Sequence, residues 1–128
     1  MPSKPGSQRP KEVALGFLKL VIEGQIDRAY DEFVDPLGKH HNIFTEAGFG
    51  SLKKGMREAH AKSPNKRFQV KQVLEDGDLV AIHSHLTLNP EMDLAAVHLF
   101  KVKDGKIIEM WDCAQPISPN SPNKDGAF

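Results

Sequence analysis

Residues 96–115 read AVHLFKVKDGKIIEMWDCAQ, and the way this stretch doubles back on itself decides the fold. Apolar and polar residues alternate on both sides of Asp104-Gly105, as in two half-buried strands joined by a tight turn. If Asp104-Gly105 alone made the turn, Lys101 would oppose Ile108 and Glu109 would oppose Phe100, setting charges on the apolar side. A three-residue loop Lys103-Asp104-Gly105, with Gly105 as a left-handed bulge residue, separates charges from hydrophobes instead. That expected register pairs Val102 with Lys106, Phe100 with Ile108 and His98 with Met110. Ala96, His98, Phe100, Ile108, Met110 and Asp112 then share the buried face, and Lys101, Glu109 and Trp111 the other. A histidine and a carboxylate come to the inner side of adjacent strands.

Outward from this hairpin, residues 67–75, 79–88 and 94–102 have strand character, as does 106–117 at its far end. They are separated by Asp76-Gly77-Asp78, Asn89-Pro90-Glu91 and Asp104-Gly105. Upstream the period lengthens. Val13, Phe17, Leu20 and Val21 recur at helical spacing, so residues 11–23 read as a helix stopped by Gly24. A second helix is expected over 26–34, with Ile26, Ala29, Tyr30 and Phe33 on its apolar side and Pro36 ending it. Residues 39–44 read as a short loop or strand. A third helix spans about 49–62, closed by Ser63-Pro64-Asn65. Helices first and an antiparallel meander afterwards define an α+β domain. At 128 residues there is room for one such domain, 11–117, with polar, proline-rich and therefore flexible tails expected over 1–10 and 118–128.

The strand DLVAIHSHLTL puts His83 and His85 on one face, because side chains repeat every two residues. Val80, Ile82, Leu86 and Leu88 make the opposite face equally apolar, so alternation does not choose between them; the histidines are assigned inward. Two apolar faces imply that the outer side of the sheet is covered, most simply by a second copy of the chain, with Trp111, Val97 and Leu99 in a homodimer interface.

Composition removes several classes of function. Lys+Arg and Asp+Glu balance at 17 each, so the chain lacks the surplus of positive charge that a nucleic-acid or anionic-membrane binder clusters on its surface. The single cysteine, Cys113, rules out an intramolecular disulfide and a four-cysteine zinc site. The polar, proline-rich start and the lack of an 18-residue apolar run fit neither a signal peptide nor a membrane span, and a cytoplasmic protein is expected. His-x-His on a strand is also the spacing of a cupin metal site, but no later histidine motif completes the ligand set. No metal and no other cofactor is expected.

AVHLFKVKDGKIIEMWDCAQ resembles the closing hairpin of SnoaL-like proteins of the nuclear transport factor 2-like superfamily, where a pattern close to F-R-x-x-x-G-K-I-x-E-H-W-D recurs. HSH after EDGDLVAI resembles the family's V-H-S strand, and HHN near position 41 its Q-H-N segment. The likeness runs in order from about residue 11 to 117. It implies a cone-shaped fold, usually dimeric, with a small-molecule pocket between the helices and a concave sheet. Among such proteins are polyketide cyclases in which a pocket aspartate moves protons without a cofactor, isomerases and dehydratases, and proteins that only bind ligands. Two positions depart from the pattern: His98 stands where Asp is frequent, and Met110 where His is frequent.

Asp112 and His98 are accordingly the candidate catalytic residues, the aspartate as acid/base and the histidine as its polar helper. His41, Asn42, His83, His85, Phe100 and Met110 are the candidate ligand-binding residues. The expected function is a cofactor-free cyclase, isomerase or dehydratase working by proton transfer or aldol-type chemistry on a small apolar carbonyl compound. The alternative is a non-catalytic ligand-binding or dimerisation module of the same fold. His60, among Arg57, Glu58 and Lys62, reads as a solvated helix residue, and Cys113 as an inert small hydrophobe.

Overall fold

The computed structural model describes residues 9–128. Helices α1 (Pro10–Ile22) and α2 (Ile26–Phe33) lead directly into strand β1 (Val34–His40). Helix α3 (Phe49–Lys62) follows, and strands β2 (Arg67–Asp76), β3 (Leu79–Asn89), β4 (Met92–Lys103) and β5 (Lys106–Pro116) complete the chain. The expectation of a tail over residues 1–10 falls for 1–8 outside the described residues; Pro10 already opens α1, where its fixed φ suits the first helical turn.

Each helix forms where the apolar spacing points. Val13, Ala14, Phe17, Leu18, Leu20 and Val21 make the buried stripe of α1, and Ile26, Ala29 and Tyr30 that of α2. Gly24 at φ +84° turns the chain between them. That turn also seats His60, whose Nε2 would lie 2.3 Å from a Cβ at position 24 and whose Nδ1 accepts from Lys66 Nζ at 2.7 Å. His60 is therefore a half-buried packing residue and not the solvated one expected.

The strands form one five-stranded sheet in the order β1-β5-β4-β3-β2. The last four are an antiparallel meander, and β1 adds a parallel edge strand that begins five residues before the loop or short strand expected at 39–44 and takes Val34 from the expected second helix. Phe17, Phe100, Ile82, Ile107, Val13 and Val80 are fully buried between α1 and the sheet, with Phe17 edge-on to both Phe100 and Tyr30. This is an α+β fold of helices followed by a curved, antiparallel-rich sheet.

The closing hairpin corrects the expected register. Lys103 pairs with Lys106, so Asp104-Gly105 is the two-residue turn after all, with φ of 51° and 77° as a type I′ turn requires. The charge conflict that argued against it is removed by a bulge: Lys101 pairs with Glu109 and Val102 with Ile107, leaving Ile108 as the extra residue. Inserting one residue changes which side chains point inward. Ile107, not Ile108, is buried beside Val102, while beyond the bulge Phe100 faces Met110 and His98 faces Asp112. Gly38 of β1 passes this irregularity; a Cβ there would lie 2.5 Å from the Ile108 carbonyl oxygen.

After β5 the chain returns over the outer face of the sheet, where Phe128 lies 5.4 Å from the ring of His83, 4.9 Å from that of His85 and 5.1 Å from Lys71 Nζ. Among the described residues no helix is long and apolar enough to cross a membrane.

Candidate functional site

Three rungs of the β3-β4-β5 ladder build the inner face: Val80–Phe100–Met110, Ile82–His98–Asp112 and Ser84–Ala96–Ala114. The first is solid core, with Phe100 0% and Met110 2% exposed. These two expected ligand-binding residues thus pack beneath the polar groups. The second rung sets an imidazole directly across from a carboxylate. The bulge at Ile108 makes this neighbourhood, since the expected register would have put Met110 there instead.

Asp112 is held from the edge of the sheet, where Asn42 Nδ2 donates to its Oδ2 at 3.0 Å. Asn42 is itself fixed: its backbone N–H donates to His40 Nδ1 at 3.0 Å, and its Oδ1 accepts the Phe44 N–H at 2.9 Å. His40 is buried, and its Nε2 lies 2.9 Å from the Glu46 carbonyl, so both ring nitrogens are engaged with backbone and the proton sits on Nε2. His40 was not among the residues expected at the site. In the run His40-His41-Asn42, alternation about the β1 edge was the available signal, since residues 40 and 42 turn inward together.

His98 has a different environment. Its ring stacks near Phe100 at a centroid distance of 6.1 Å and meets Phe68 edge-on at 6.4 Å, and its Nδ1 is buried without a hydrogen-bond partner. Burial pushes the imidazole pKa below its ordinary value, and the nearby Asp112 carboxylate offsets that only in part. The ring is therefore held neutral. Ser84, on the adjoining rung, is fully buried and its Oγ also lacks a partner.

The other expected ligand residues lie elsewhere. His83 pairs with Val97 and His85 with Ala95, which turns both imidazoles to the outer face because their neighbours Ile82 and Ser84 point in. His83 Nδ1 is 3.1 Å from Gln72 Nε2, and His85 Nε2 is 3.0 Å from Asp93 Oδ1, which Thr87 also donates to. His41 is outer as well, stacked on Trp111 at 5.2 Å with its Nε2 2.6 Å from Glu109 Oε2. That contact, with Lys39 nearby, keeps the Glu109 pKa below the usual carboxylate range. The inward assignment of His83 and His85, and the grouping of His41 with Asn42, are thus corrected by the pleat.

Open clefts of 320–460 Å³ lie between α2 and α3, between α1 and β2, at the Arg67–Thr87 end of the sheet and on its outer face. Neither His98 nor Asp112 lines any of these five. Among the described residues no three His, Cys, Asp or Glu side chains are grouped to hold a metal ion.

A domain with α1 and α2 packed on a curved sheet, and with polar groups gathered on its inner face, has the architecture of SnoaL-like proteins. The family model "SnoaL-like domain" matches residues 15–110, and the chain belongs to that family. The fold is similar to that of IdmH from Streptomyces antibioticus, at 16% identity and TM-score 0.72 over 84% of this chain and 93% of that one. It is similar also to a SnoaL-like polyketide cyclase from Agrobacterium tumefaciens, at 16% identity and TM-score 0.69 over 84% of this chain and 92% of that one. An NTF2-like protein from Cytophaga hutchinsonii aligns at 14% identity and TM-score 0.71 over 90% and 95%. At these identities the likeness is one of fold. No curated protein matches the sequence.

Proposed function

We propose that this SnoaL-like protein is a cofactor-free enzyme that moves a proton on a small, mostly apolar carbonyl compound bound at the His98–Asp112 rung, as a cyclase, isomerase or dehydratase does. The observation that carries the reading is the buried, unpartnered Nδ1 of a neutral His98 directly across from the Asn42-held carboxylate of Asp112. A buried polar atom that its own chain leaves unpaired is completed by a ligand or by an enclosed water, and the proposal takes the first.

Asn42 occupies Oδ2 and leaves Oδ1 of Asp112 for chemistry. Oδ1 takes a proton from the carbon next to the carbonyl, and the C–H electron pair moves into the carbonyl to form an enolate. Return of the proton to another carbon isomerises the substrate; attack of the enolate carbon on a second carbonyl closes a ring. A neutral imidazole hydrogen-bonded to the carbonyl oxygen supports the developing charge. No cofactor enters any of these steps.

Exchange of α-protons of cyclic ketones in D2O, followed by NMR, tests this. Wild-type protein should accelerate exchange, Asp112→Asn should lose roughly 10²- to 10⁴-fold of the acceleration with the fold intact, and His98→Gln should lose less. Full exchange by Asp112→Asn alongside a dead His98→Gln would assign the proton transfer to the histidine. Ketones that bind without exchange would favour the second reading, a non-catalytic ligand-binding module, which the dense Phe100–Met110 packing beneath the rung supports.

The same reading includes assembly and location. Leu74, Leu79, Leu99 and Val97 leave 38–64% of their surface exposed on the outer face, around a groove that Trp111 also lines. A second copy of the chain covering this patch would bury it. The free, exposed Cys113 suits a reducing compartment such as the cytoplasm.

A further inference from the structure

Ser84 takes no part in the proton transfer just described, yet it is one of only two buried polar residues among those described, and the one that is fully enclosed. It pairs with Ala96, and His98 lies two residues further along the same strand. Ser84 and His98 are thus diagonal neighbours on one face, with Cα atoms roughly 7–8 Å apart by sheet geometry. The other two corners of that square are the small Ala96 and the fully buried Ile82, with Ala114 beyond Ala96 on β5. Both polar atoms, Ser84 Oγ and His98 Nδ1, lack a partner.

An unpaired buried hydroxyl costs free energy, and a sequence that wanted only packing would put alanine or valine at position 84, as it does at 80 and 96. Two such atoms on adjoining rungs, both beside the small Ala96, have a common explanation. We propose that Ser84 and His98 form an oxygen subsite: the Ser84 hydroxyl and His98 Nδ1 jointly hold a carbonyl, or the enolate derived from it, over Ala96, with the adjacent carbon toward Asp112. The ligand class, a compact carbonyl compound, rests on the proton-transfer reading above, but the subsite is tested without turnover. Ser84 is on this account a positioning residue that touches the substrate oxygen.

Two measurements on the full chain decide the matter. The first needs no ligand. If Ser84 Oγ has no partner inside the fold, Ser84→Ala should unfold at the same temperature as wild type or higher, and Ala96→Val should fold. A fall of several degrees for Ser84→Ala would mean that the hydroxyl is already satisfied, by an enclosed water for example, and would overturn the proposal. The second is a titration with cyclohexanone, read from amide NMR shifts at positions 84, 96, 98 and 112. Methylenecyclohexane, with carbon in place of oxygen, serves as the comparison. Cyclohexanone should shift those amides and the hydrocarbon should not; Ser84→Ala should weaken binding about 3- to 10-fold, the worth of one hydrogen bond. Ala96→Val, which puts two more methyl groups where the oxygen is proposed to sit, should block it. Equal affinity in Ser84→Ala, equal binding of the hydrocarbon, or no shifts at these amides would each sink the subsite. Binding that depends on Ser84 without α-proton exchange keeps the subsite and removes the enzymatic reading. Exchange that is indifferent to Ser84→Ala does the reverse.

Discussion

The two faces of the β3-β4-β5 ladder use the same residue type under opposite conditions. On the inner face His98 is half-buried as a residue, but its Nδ1 is enclosed without a partner, and burial pushes its pKa down. On the outer face His85 is half-buried, bonded to Asp93, which stays ionised through Thr87 first and His85 second. His85 has what it needs from its own chain. His98 does not, and the contrast separates a histidine that closes a surface network from one to which the proposed function gives a ligand. The faces differ in their hydrophobes as well: Phe100 and Met110 are locked in the core, whereas Leu79 and Leu99 are left open.

The largest expected effect lies inside. Phe100→Ala should cost about 3–5 kcal/mol of stability by urea unfolding, because it empties the space against Phe17 on a face that cannot collapse. A loss below about 1 kcal/mol would mean that the inner face is not solid core. On the outer face, Trp111→Glu should convert the proposed dimer to a monomer in light scattering at high micromolar concentration while changing the monomer's fold little. A wild-type monomer under those conditions breaks the symmetry between a filled inner face and a covered outer one.

Smaller effects sharpen the contrast between the histidines. The folded-state pKa of His98 lies below the unfolded value of about 6.5, so the unfolded chain binds the proton first. Stability contributed by a neutral His98 is complete above pH 6.5 and is lost as pH falls toward its folded pKa. His98→Gln should flatten that part of the stability profile between pH 8 and 5, measured by thermal unfolding. An unchanged profile would mean that the ring is not buried in solution. The smallest expected change is for His85→Ala, within about 0.5 kcal/mol, since exposed ion pairs contribute little. Cyclohexanone affinity should not move at all, and a lost ligand in this variant would return His85 to the site.

Several features were legible in the residues themselves. Helix α3 was expected at 49–62 and occupies Phe49–Lys62, because its period and its Ser63-Pro64-Asn65 stop are local signals. Asp112, His98, Phe100 and Ala96 were assigned to one face, and they share it, since alternation survives any even shift of register. What failed depended on parity or on distant chain. His83 and His85 could not be oriented because both faces of β3 are apolar, and only pairing with Val97 and Ala95 fixed them. The buried contacts of His40, and the separation of His41 from Asn42, follow from the β1 edge lying along β5, a parallel contact between segments some 70 residues apart.

The sequence by itself determined the α+β order and the family likeness, because these rest on periodicity and on short motifs acting over a few positions. Only the tertiary structure decided which residue faces which. The bulge at Ile108 lets a charged pair, Lys101 and Glu109, stay outside while Ile107 and Met110 both turn in, and that one inserted residue puts Asp112 rather than Met110 across from His98. A bulge is chosen by the burial of whole faces against a helix layer, a condition that does not exist until α1 and the sheet have met.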